Sequence, residues 1–280
     1  TLTYWLTDST VWQQDTLKMQ VDYLKSDSLF QLVPQTDSIS SIFRHPRTNK
    51  KPTSKTVKML DIKTNVQSVF DVYRAVVLQF EEPVQSTDLQ GIQLKEKIDT
   101  VFKDLSYTWA AMDSTKMKFS LSYQWEPEKS YQLLVDSASF SSIYGIVNNK
   151  YKADFKIRSL EEYSSVRVVI SPFDARVVLQ LLDTKDAPIS SKPAQEDGVL
   201  FEYLKPTDYY IRMFIDENGN GKWDTGSLDA HRQPEQVYYY NKKLTLMANW
   251  EFEEKWEQWS SVPLMKQKPQ ELRKDGNEKK

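Results

Sequence analysis

Short runs of β-branched and aromatic residues, each closed by Asp, Ser, Asn or Pro, recur along almost the whole 280-residue chain. Residues 17–24 read Leu-Lys-Met-Gln-Val-Asp-Tyr-Leu. Apolar and polar side chains alternate there, which is the period of a strand with one face covered. Residues 73–80, 116–122, 131–135, 166–170, 177–182, 209–215 and 243–250 carry similar runs. Runs this short, roughly 8–15 residues apart and without long helical patterns between them, predict an all-β chain folded as tandem β-sandwiches. Eight Trp, fifteen Tyr and twelve Phe supply core material, since each aromatic ring buries ~150–250 Å².

Composition removes several function classes. Average usage of about 7% would give the chain about twenty glycines; it has seven. Glycine-rich dinucleotide and phosphate loops need several in one short run and are not expected. With no cysteine, disulfide scaffolds, thiolate zinc sites and cysteine nucleophiles are excluded. The only histidines, His45 and His231, are too few and too far apart for a two-histidine metal site. A net charge of −2 provides no global field to recruit nucleic acid. No apolar run approaches the ~18 residues of a membrane-spanning helix.

Five segments emerge. Residues 1–44 read as terminal strands of an upstream β domain. Residues 45–56 read as a linker inside a basic stretch, 44–58, which holds six Lys/Arg, two prolines and no acid. Residues 57–159 and 160–259 each suit one sandwich of about 100 residues. Residues 260–280 are charged and prolyl and read as a disordered tail. The start at Thr1 suggests a piece of a longer or processed chain. One helix is expected: Phe252, Trp256 and Trp259 fall at i, i+4 and i+7 behind acids at 251, 253 and 254. It reads as a short C-terminal helix docking its stripe on the second sandwich.

The most specific stretch is Asp216-Glu217-Asn218-Gly219-Asn220-Gly221-Lys222-Trp223-Asp224. Oxygen side chains stand at relative positions 1, 3, 5 and 9, and glycine at position 6, as in the front of a calcium loop. Asp216, Asn218, Asn220 and the Lys222 carbonyl would surround one point, with Asp224 bound directly or through water. The bidentate acid of position 12 is missing, because Ser227 stands there; Asp229 is a nearby substitute. The competing reading is a tight β-hairpin, since Asn218-Gly219 is a strong hairpin dipeptide. Both readings stand at this point. Calcium is the one cofactor the sequence suggests.

Catalytic signals are sparse. The adjacent pairs Glu81-Glu82, Glu161-Glu162 and Glu253-Glu254 would point to opposite faces of a strand and would not flank one bond together.

The run 209–226 with its Asp/Asn loop, followed by Arg232-Gln233-Pro234-Glu235-Gln236-Val237-Tyr238-Tyr239-Tyr240 and Ala248-Asn249-Trp250-Glu251, resembles the C-terminal region of Bacteroidetes envelope proteins with bacterial Ig-like domains. Phe80-Glu81-Glu82-Pro83-Val84 and residues 131–136, 140 and 143–145 resemble strands of the family's Ig-like domain. The resemblance implies an Ig-like sandwich over 57–159, a transthyretin-like sandwich over 160–259, a cell-envelope location and an upstream lipoprotein anchor. It implies no activity. Asp-Ser/Thr-apolar tripeptides begin at Asp15, Asp27, Asp37, Asp99 and Asp136. They match the pattern of periplasmic O-glycosylation, and equally the habit of Asp-Ser/Thr at strand starts.

The leading expectation is a non-enzymatic envelope scaffold or adhesive module with a protein or glycan partner and no nucleic acid. The alternatives are a carbohydrate-binding protein using Trp109, Trp125, Trp223 and Trp256, and an accessory region of a glycan-processing enzyme.

Overall fold

The computed structural model describes residues 3–12, 14–42, 58–261 and 267–273. The expected linker 45–56 and His45 lie outside the described residues. The fold is nearly all β, as the patterning predicts, and divides into two compact units. The first holds most of residues 1–156; the second holds 157–280 together with 71–73 and 126–128.

In the first unit, Thr16–Ser26 and Leu32–Ile42 form an antiparallel hairpin in unbroken register from Thr16↔Ile42 to Ser26↔Leu32. Asp27 sets its turn, its carboxylate accepting from the backbone of Leu29 and Gln31, each at 2.8 Å. A four-stranded sheet runs Lys63–Thr64, Val76–Gln79, Lys118–Ser122, Thr108–Ala111. A five-stranded sheet runs Val69–Phe70, Tyr151–Ile157, Ser130–Val135, Ile92–Ile98, Val101–Leu105. Alternation decides what is buried: Ile92 and Leu94 point inward, and Glu96, next on that face, pairs with Lys129 at 2.8 Å. Phe70, Trp125, Tyr131 and Phe155 meet edge to face within the core.

The second unit is a two-sheet sandwich. One sheet runs Val199–Leu204, Ser164–Ser171, Glu251–Glu257. The other runs Pro188–Pro193, Val177–Leu182, Asp208–Ile215, Val237–Tyr239, with Leu244–Thr245 also paired to Asp208–Ile215. Val166, Val168, Val177, Leu179, Leu181 and Met213 are completely buried between them.

Two expectations change here. The C-terminal helix is absent: Glu251–Glu257 is a strand, parallel to Ser164–Ser171, with Phe252 opposite Val166 and Trp256 opposite Ile170. A spacing of four places two residues on one face in either period. The open edge of Ser164–Ser171 then decides in favour of the strand. Within the expected disordered tail, residues 267–273 pack on the second unit. Tyr239 donates its backbone N–H to Gln267 at 3.1 Å, and Leu272 is buried with Leu182 and Tyr210. All six residues of Val177–Leu182 are buried, so its outer face also needs cover, and the tail supplies part of it.

A buried carboxylate braces the second unit. Asp71 takes hydrogen bonds from Tyr163 (3.1 Å), Arg158 (3.2 Å) and Lys205 (3.0 Å). Burial alone would raise its pKa, but Lys205, Tyr163 and Arg158 outweigh burial and hold it below the ordinary carboxylate range. A carboxylate held low stabilises the fold above its unfolded-state pKa and loses that contribution as pH falls through the lower folded-state value. Asp71→Ala should therefore cost about 1–3 kcal/mol near neutral pH. The difference from the parent should shrink in urea melts taken at progressively lower acidic pH.

Candidate metal-binding loop

Strand Asp208–Ile215 delivers Asp216 to the end of the sheet it shares with Val177–Leu182, where its backbone N–H bonds the Arg176 carbonyl at 2.9 Å. From there the chain winds around the Asp216 side chain, which is almost buried. One carboxylate oxygen accepts from Gly219 N (2.8 Å) and Asn220 N (3.2 Å), the other from Gly221 N (2.7 Å). Asn218 Oδ1 accepts from Asn220 N at 3.0 Å, and Asn220 Oδ1 from Lys222 N at 2.7 Å. Gly219 and Gly221 stand at φ +71° and +73°, the left-handed region where a side chain costs most. The loop is thus a succession of tight bends around one carboxylate.

This corrects the tight-hairpin reading. The next strand in the sheet, Val237–Tyr239, begins only after residue 236, so Asn218-Gly219 does not join two strands. The reason is local: the Asp216 carboxylate captures the N–H groups that a two-residue turn would have left for pairing.

Asp224 accepts from the Asn218 amide at 2.5 Å and the Asn220 amide at 2.7 Å. These bonds, Asn218's first, hold its carboxyl below the usual range. Asp216, Asn218, Asn220 and Asp224 are thus joined in one hydrogen-bonded network, to which Lys222 contributes its backbone N–H. Asp229, the acid offered for position 12, is exposed, while Glu235, nine-tenths buried, bonds the loop's backbone. One Glu235 oxygen accepts from Glu217 N at 3.0 Å, the other from Asp224 N at 2.9 Å. Trp223 donates its indole N–H to the Glu235 carbonyl at 3.0 Å. Gly226 permits this return: a Cβ there would lie 2.5 Å from the Arg232 carbonyl oxygen. No fixed spacing announces Glu235, because a 21-residue excursion, 216–236, separates the paired strands.

Among the described residues, no three His, Cys, Asp or Glu side chains gather at one point. An ion at this loop would have to draw on amide and carbonyl oxygens beside Asp216 and Glu235. Such hard oxygen donors suit calcium better than a transition metal.

Other sequence-predicted residues fall elsewhere. Trp125 and Trp256 are buried, and Trp109 is half-buried, stacked on Phe119. Trp223 is half-exposed but tied to Glu235. These four do not form a common platform. His231 is exposed. The adjacent glutamates are engaged separately: Glu81 with Lys63, Glu82 with Lys58, Glu162 with Arg158, and Glu254 with the Tyr240 hydroxyl. Ser28, Ser38, Thr100 and Ser137 of the Asp-Ser/Thr tripeptides are exposed, and Thr16 is half-buried.

No family model matches the sequence, and no curated protein sequence does. Among solved structures, the chain is similar to native alpha-2-macroglobulin from Escherichia coli spanning domains MG0-NIE-MG1. Identity is 11% over 67% of this chain and 72% of that one, with a TM-score of 0.30. It is also similar to the N-terminal part of the bacterial S-layer protein SbsC, at 7% identity over 57% and 42%, TM-score 0.30. BcpA, the major pilin subunit of Bacillus cereus, shows 8% identity over 71% and 69%, TM-score 0.25. At these identities and scores the likeness says nothing of what this chain does.

Asp216 holds three backbone N–H groups at once. Asp216→Ala should cost roughly 2–3 kcal/mol and raise hydrogen exchange across 217–222, measured amide by amide. Asp229→Ala should leave both readouts unchanged.

Proposed function

We propose that the chain is a non-catalytic structural module of a bacterial cell envelope, a scaffold or adhesive segment, whose second unit is locked by calcium at the Asp216 loop. The observation that carries this reading is the arrival of Glu235 beside a loop that already has Asp, Asn, Asn and Asp at the calcium spacing. A bidentate Glu235 would join Asp216, Asn218, Asn220 and the Lys222 carbonyl. That brings the protein oxygens to about six, the lower end of what calcium accepts. The charge count is low, which points to the weak affinities typical of extracellular modules. Envelope location is supported by the resemblance of residues 209–226 and 232–240 to Bacteroidetes Ig-like envelope proteins. In such a place millimolar calcium would occupy a weak site, and the ion would stiffen one end of a load-bearing sandwich.

Binding to the native state alone stabilises it by mass action, by about 2.7 kcal/mol at a hundredfold excess over Kd. The melting temperature should rise with millimolar calcium and fall back with chelator. Glu235→Gln should retain the fold and lose most of the calcium-dependent increment. Coincident melts in calcium and chelator would discard the metal.

The same protein, assayed with and without calcium against polysaccharide and peptide substrates, should show no turnover. Turnover abolished by one carboxylate substitution would overturn the non-catalytic reading.

A further inference from the structure

A second feature of the same unit lies at the end of the sheet that holds Ser164–Ser171. Two residues there hold left-handed backbone, Tyr203 at φ +55° and Asn249 at φ +59°. A bulky aromatic side chain is rare in that region. Tyr203 reaches it through a bulge. Ser164 pairs with Leu204 and Val166 with Phe201, so Glu202 and Tyr203 together oppose Ser165. Bulges re-aim side chains, and this one leaves the Tyr203 ring 41% exposed. The ring is braced by Tyr73, stacked at 5.7 Å, and by Tyr163, edge-on at 5.7 Å. Just before Glu251–Glu257, on the other side of Ser164–Ser171, Trp250 is 50% exposed, with Phe252 at 5.3 Å. Its carbonyl is held by Ser164 Oγ (2.8 Å) and Ser165 N (3.0 Å).

Tyr203 and Trp250 border an open groove of about 440 Å³ whose lining includes Glu161, Glu202 and Glu251. Glu251 sits across from the small Ser165 in the parallel register. Among the described residues, no Lys, Arg or His lines the groove. The three cations within two residues of the lining have partners elsewhere: Arg158 pairs with Asp71 and Glu162, Lys205 with Asp71, and Arg167 donates to the Asp197 carbonyl at 3.3 Å. Exposed aromatic faces and carboxylates in one concave surface attract the same ligand: a cation, drawn by the ring quadrupole and by charge. This unit already lays cations over rings, with Lys192 5.6 Å from the Phe201 centroid and Arg212 5.8 Å from that of Tyr239. A neutral sugar would use the rings and leave three carboxylates uncompensated. A single amine would neutralise only one of them.

We propose that this groove binds the Lys and Arg side chains of an extended basic peptide segment, with Tyr203 and Trp250 taking the cationic heads and Glu161, Glu202 and Glu251 balancing their charge. The proposal is independent of the calcium loop.

The test is fluorescence anisotropy of a labelled hexalysine peptide with the full chain, in chelator, at low and at physiological salt. Saturable binding is expected. Trp250→Ala should weaken it about three- to fivefold, the worth of an exposed cation–π contact. Tyr203→Gly should do the same while relaxing the left-handed backbone, which keeps the fold intact. The double substitution Glu202→Gln and Glu251→Gln should weaken binding further, and Glu196→Gln, outside the groove, should not change it. Three results would each overturn the proposal: no saturable binding at low salt; binding indifferent to Trp250→Ala and Tyr203→Gly, which is plain charge attraction; or neutral oligosaccharides that perturb Trp250 fluorescence where hexalysine does not.

Discussion

The strand Val177–Leu182 is buried on both faces, and the second unit is arranged around that fact. Its inner residues, Val177, Leu179 and Leu181, need a facing sheet, and Val166, Val168, Ile170 and Trp256 provide it. Its outer residue Leu182 needs a cover as well. Tyr210 and Leu272 close over it, and Lys268 anchors the tail to Asp186 at 2.6 Å. A strand apolar on one face only would have left the tail no apolar surface to bury. Apolar burial at roughly 25 cal/mol per Å² explains why a charged, prolyl segment still packs.

The same strand positions the Asp216 loop. Val177 pairs with Ile215, so the chain leaves the sheet beside Arg176 and turns at once around Asp216. The loop's order comes from inside: backbone N–H groups converge on one carboxylate, and Asn218 and Asn220 bind the next. Glu235 then ties the beginning of the excursion to its end. These charge-assisted bonds fix the positions of the loop's oxygen atoms. The bulge at Tyr203 works differently, because there left-handed backbone accompanies one exposed ring.

How much was legible varies by element, for physical reasons. The strands of both sandwiches follow from alternation, which reports directly on which face meets the core. Residues 251–257 misled because Phe252 and Trp256 share a face in either period, and only the free edge of Ser164–Ser171 breaks the tie. The Asp/Asn loop stood out in the sequence because its Asp and Asn residues lie within nine positions. Its contact with Glu235 did not, because Glu235 returns across a long excursion. The tryptophans misled in the opposite sense. Composition offered Trp125 and Trp256 as surface platforms, and burial placed both in cores.

The sequence by itself determined that this chain is built of β-sandwiches, and that one loop collects Asp and Asn oxygens around left-handed glycines. Both depend on neighbours a few residues apart, so local period and backbone sterics suffice. Only the tertiary structure decided that 251–257 is a parallel edge strand, that Glu235 bonds the loop's backbone at Glu217 and Asp224, and that Tyr203 and Trp250 border one carboxylate-lined groove. Each of those joins residues tens of positions apart. What brings them together is strand pairing and hydrogen bonding between segments far apart in the chain, which no short window of sequence records.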